Sequence, residues 1–89
     1  MKSDIYVEEI KEILANKFGV GNEEINTLEK EEDIIQKFNL DSISMVEFVI
    51  EIEEILGVDL SEIFVCVPII SIENIVNYID NMGERDGNI

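Results

Sequence analysis

The chain has no histidine, no tryptophan, one proline, one cysteine and only six basic residues among its 89. Without histidine the commonest general base and the commonest zinc ligand are gone, which excludes catalytic triads and metal centres built on imidazole. A lone cysteine, Cys66, permits no internal disulfide and fits a reducing compartment. Positive charge is scarcest of all relative to its opposite. Six Lys and Arg stand against 21 Asp and Glu, for a formal charge of −15. That field repels nucleic-acid phosphates and anionic lipid, so neither nucleic acid nor a membrane surface is expected as a partner. From Phe38 to Glu84 there is no positive charge and there are ten carboxylates. A stretch of one sign asks for a partner carrying the other. Long apolar runs are lacking too. The longest, Ile63 to Ile70, is far too short to span a bilayer. The opening residues, M-K-S-D-I-Y-V-E-E-I, show no continuous apolar core of a leader peptide, and a cytoplasmic location is expected.

What is present is enough for a core. The chain is 46% hydrophobic, which separates it from acidic disordered tails. Its length suits one domain, expected over 1–83, with a flexible C-terminal tail over 84–89. The spacing predicts a first helix from Asp4 to about Phe18, capped by Ser3, with Ile5, Tyr6, Ile10, Ile13, Leu14 and Phe18 on its buried side. Gly19 and Gly21 end it. Asn22 to Leu40 reads as a long connection pinned by Ile25, Leu28, Ile34, Ile35 and Phe38, with one helical turn near Asp33 to Phe38. Leu40 to Leu56 is the strongest helix, capped by Asp41 or Ser42 and closed by Gly57. A short irregular turn is expected near Ser61 to Val65, broken by Pro68. Ser71 caps the last helix, whose stripe is Ile72, Ile75, Val76, Tyr78, Ile79 and Met82 and whose end is Gly83. The sum is an all-α fold: a small bundle of three main helices plus one short one, with a long loop between the first and second main helices.

The strongest helix has two apolar faces. At about 100° per residue, Met45, Phe48, Val49, Ile52, Ile55 and Leu56 share the broad face suited to the core. Ile43, Val46 and Ile50 lie on the other side, among Glu47, Glu51, Glu53 and Glu54, with Ser42 at the N-terminal edge. Two readings fit that second stripe. It could pack beneath the long loop, or it could be a contact patch ringed by charges that steer a basic partner.

The segment Leu40-Asp41-Ser42-Ile43, leading into V-E-F-V-I-E-I-E-E-I-L, resembles acyl carrier proteins. The resemblance covers about 4–82: a first helix of similar length, a long pinned loop, and the closing P-I-I-S-I-E-N-I-V-N-Y-I helix follow in the same order. It implies that Ser42 carries 4′-phosphopantetheine through a phosphodiester, attached by a separate phosphopantetheinyl transferase. The arm's thiol would hold acyl groups as thioesters for acyl-transferring and chain-modifying enzymes with basic docking surfaces. Fatty-acid, polyketide or related specialised biosynthesis would be the setting. The protein itself would not be an enzyme and would act as a monomer. Asp41, Ile43, Glu47, Ile50, Glu53 and Glu54 match the family's recognition surface by position, and Val46 belongs to the same stripe. The chain departs from the commonest pattern at Asn39, where many members have glycine; asparagine also tolerates left-handed backbone. Ile43 stands where fatty-acid carriers usually have leucine and is similar to peptidyl carriers, Ser44 replaces a frequent acid, and I-F-V-C-V-P is greasier than the usual acidic third helix. A stand-alone peptidyl or aminoacyl carrier, and a non-carrier acidic helical adaptor, remain the alternatives.

Three further features have plain readings. Ser42 and Asp41 would serve as helix caps in any case. Cys66, with apolar neighbours, is expected to be a buried inert thiol. Glu29, Glu31, Glu32 and Asp33 lack the alternating spacing of a calcium loop and read as a solvated charge run.

Overall fold

The computed structural model describes residues 2–87 in backbone and 4–81 in side chains, and among these every regular element is helical. Six helices follow in order: α1 Lys2–Lys17, α2 Asn22–Thr27, α3 Ile34–Lys37, α4 Ser42–Leu56, α5 Ile63–Cys66 and α6 Ile72–Gly87. α1 packs against both α4 and α6. The shared core holds Ile10, Ile13 and Leu14 of α1, Phe48, Val49 and Ile52 of α4, and Ile72, Ile75, Val76 and Ile79 of α6. Phe18 meets Phe48 edge-to-face at 5.8 Å between ring centroids, the arrangement aromatic quadrupoles favour.

The connection between α1 and α4 is more ordered than its composition suggests. Ile25, Leu28 and Ile34 are buried, as expected, but the span also contains α2, which was not foreseen. α2 begins with Glu23 and Glu24 at the positive end of its dipole, and Glu24 Oε1 accepts from the Gly21 N–H at 3.4 Å. Its only core anchors are Ile25 and, just beyond, Leu28, one helical turn apart and too few to stand out as a stripe. The loop is then tied across the fold. Ile34 N donates to Ile70 O at 2.8 Å, and Glu73 N donates to Lys30 O at 2.9 Å.

Other expectations shift. Ser3 lies inside α1 rather than before it. Ile5 is exposed, because on the wheel it falls nearly opposite the Ile10–Leu14 seam. Ile55 is also exposed, at the margin of the α4 core face. α5 covers Ile63–Cys66, beginning two residues later than the predicted turn. Cys66 is exposed, which corrects its expected burial: Ile63 fills the inward position of that one-turn helix and leaves Cys66 facing out. Helical backbone continues through Gly83 to Gly87, since a glycine weakens a helix by about 1 kcal/mol without forbidding it. Of the tail expected over 84–89, residues 88–89 and all its side chains lie outside the described residues, as does the Met82 side chain. No helix among the described residues is long and apolar enough to cross a membrane.

Candidate functional site

The site begins with the turn that delivers Ser42. α3 is started by Asp33, whose Oδ1 accepts from Ile35 N at 3.1 Å and Gln36 N at 3.3 Å. It ends in a Schellman closure. Asn39 adopts a left-handed conformation with φ 55°, its N–H donates to Gln36 O, and the Leu40 N–H reaches back to Ile35 O at 2.9 Å. Asparagine thus performs the task glycine could have done, as its tolerance of this region predicts. The chain reverses within these residues and enters α4 immediately. Leu40 is part-buried against the core, which fixes the start of the helix.

Asp41 is the cap of α4, not Ser42. Its Oδ1 accepts from Ser44 N at 2.8 Å, and its carbonyl accepts from Met45 N at 2.9 Å. The Ser44 N–H, followed by the Ser44 hydroxyl, holds the Asp41 carboxyl below the ordinary aspartate range. Ser42 is the first helical residue and is exposed, with its hydroxyl accessible rather than enlisted in capping. The positive end of a 15-residue helix lies behind it, a setting that favours a phosphate ester over a neutral group.

The second apolar stripe of α4 stays uncovered. Ile43 is 71% exposed, Val46 46% and Ile50 43%, so the long connection does not pack over them. Glu47 and Glu54 are exposed beside them. Glu53 differs from these two. Its carboxylate folds back, and Oε2 accepts from the Leu60 N–H at 2.6 Å, bracing the α4–α5 link around Gly57. Sequence reasoning placed Glu53 among its charged neighbours and missed this contact, which joins residues seven apart through a turn whose path periodicity does not encode. Glu32 is likewise occupied: Oε1 accepts from Glu29 N at 2.8 Å and Oε2 pairs with Lys37 at 3.3 Å. With Asp33 acting as a cap, the acidic run works as local structure, and among the described residues no cluster could hold a metal ion.

One turn after Ser42, Met45 lines an open, mostly apolar pocket of about 200 Å³ with Asp33, Ile35, Phe64, Val67, Ile69 and Ile70.

Residues 8–79 match the family model described as the phosphopantetheine attachment site. The match spans most of the chain, so the protein belongs to the phosphopantetheine-attachment family and is a carrier of covalently bound 4′-phosphopantetheine. Carrier domains of this family are generally non-catalytic, and they generally interact with a phosphopantetheinyl transferase and with biosynthetic enzymes. No curated protein and no solved structure matches the chain. The residues around α4 suit such a group: an exposed primary hydroxyl at a helix N-terminus, with no side chain closing over it.

Proposed function

We propose that the protein is an acyl carrier whose 4′-phosphopantetheine is attached at Ser42 Oγ, and that the outer face of α4 docks the enzymes that load and use it. The exposed Ser42 hydroxyl at the head of α4 is the observation that supports this most directly. In loading, a P–O bond within the pyrophosphate of coenzyme A is exchanged for one to Ser42 Oγ. Adenosine 3′,5′-bisphosphate leaves, and the hydroxyl proton passes to the transferase. When bound, the arm supplies a thiol that holds acyl groups as thioesters. The chain's own residues position it. Asp41 fixes the first turn of α4, Asn39 and Leu40 fix the approach to it, and the helix dipole favours the phosphodiester.

Ile43, Val46 and Ile50 offer apolar contact, while Asp41, Glu47, Glu53 and Glu54 supply negative charge to basic partner surfaces. A small apolar patch inside a charged rim suits brief encounters with several enzymes, since charge raises the on-rate and the patch limits residence. The pocket between Met45, Phe64, Val67 and Ile69 is mostly apolar and takes in a residue one turn after Ser42, which suits a hydrocarbon cargo from fatty-acid, polyketide or related biosynthesis. The packing of α1 against α4 and α6, with a short α5, supports reading the chain as an acyl-carrier bundle. We place its work in the cytoplasm, as a monomer.

Incubation with a phosphopantetheinyl transferase and coenzyme A is expected to add the mass of one phosphopantetheine, read by intact-mass spectrometry. Ser42→Ala is expected to abolish the addition without changing helical content. Modification of the Ser42→Ala chain, or none of the wild type across several transferases, would refute the attachment and favour the adaptor reading.

A further inference from the structure

The outer face of α4 is not bounded by acids alone. Lys17, in the last turn of α1, reaches Glu51 Oε1 at 3.8 Å. Lys17 and Phe18 form one wall of an open groove of about 260 Å³, and Glu47, Ile50 and Glu51 form the other. Glu47 and Glu51 are one turn apart, so their charges repel along the helix. Lys17 relieves that repulsion from one end. The contact is loose: it sits near the limit of an ion pair, and the Lys17 side chain is 55% exposed. Pairs of this kind contribute little to stability and exchange readily with solvent.

We propose that Lys17 is a built-in competitor for the docking face, holding Glu51 where a partner's basic side chain would lie against Glu47 and Glu51. The partner this groove fits is a protein surface presenting an arginine or lysine beside an apolar residue: the cation lies against the two carboxylates, and the apolar group meets Ile50 and Phe18. The charge complementarity is local, since the groove is acidic wherever Lys17 is not. To bind, the partner displaces Lys17 from Glu51, which weakens the complex and shortens it. The inference rests on the docking face proposed above but not on which hydroxyl is modified.

The test reads association separately from chemistry. Binding of the phosphopantetheinyl transferase to the immobilised Ser42→Ala protein is measured by biolayer interferometry, with and without Lys17→Gln. Removing the competing charge is expected to raise affinity about threefold at low salt, with the gain fading near 0.5 M salt, where the Debye length falls to roughly 4 Å. In a Glu51→Gln background, Lys17→Gln is expected to give no gain, because the two charges act as one pair. Unchanged or weaker binding of the Lys17→Gln chain, including no binding by either form, overturns the proposal. A lowered melting temperature with unchanged affinity shows that Lys17 serves only the fold, which also overturns it. Failure of the attachment site appears instead in the intact-mass experiment on the wild type.

Discussion

Replacing Glu53 by alanine removes the 2.6 Å acceptor of the Leu60 N–H. Leu60 is fully buried in the core, and its amide lies within the link from α4 to α5. No neighbouring side chain replaces the carboxylate there among the hydrogen bonds of the described residues. A hydrogen bond to a charged acceptor contributes about 1.5–3 kcal/mol, and a partly buried donor left without a partner falls in the same range. In a domain of this size 1 kcal/mol corresponds to about 4–8 °C, so Glu53→Ala is expected to lower the melting temperature by roughly 6–24 °C. Glu53→Gln keeps an oxygen in place and loses only the charge, so most of the stability should return. Thermal melts followed by far-ultraviolet circular dichroism at neutral pH provide the assay. A Glu53→Ala chain melting within about 2 °C of wild type would refute the reasoning, since that is below the lowest value of a single satisfied contact at this site. Glu53→Lys is therefore a poor probe of docking, because it breaks the link as well as reversing the charge.

Glu47 has no such contact among the described residues, so Glu47→Lys is the cleaner charge reversal: it is expected to slow transferase loading severalfold at low salt while helical content is unchanged, and equal rates at low and high salt would count against steering. The Asp41 cap carries a pH signature. Its folded pKa is lowered by the Ser44 N–H, so its contribution is complete above the ordinary aspartate value and is lost as pH falls through the lowered folded value. The melting-temperature gap between wild type and Asp41→Ala should accordingly be widest near neutrality and close on acidification; a gap that stays constant into strong acid would show that the carboxylate charge plays no part.

How much was legible in the residues varies with the range of the interaction. The main helices were visible because each carries its own apolar stripe and its own punctuation. Asp41 and Gly57 bound α4, and Ser71 opens α6 by accepting the Asn74 N–H through its hydroxyl at 3.1 Å. The left-handed Asn39 was foreseeable because few residues other than glycine sit there comfortably. The candidate attachment residue, Ser42, was proposed by resemblance, through Asp41-Ser42 at the head of an acidic helix, and the structure leaves that residue exposed. α2 was missed because six residues with one buried side chain give periodicity nothing to repeat.

Local order, composition and the two faces of α4 were determined by the sequence itself, because they depend on neighbours within one or two turns. The tertiary structure decided what those faces meet. It left Ile43, Val46 and Ile50 open where the loop could have covered them, and turned Cys66 outward. It folded Glu53 onto the Leu60 amide and brought Lys17 to Glu51 across 34 residues of sequence. Such contacts depend on how helices cross and where loops return, and no single segment carries that information.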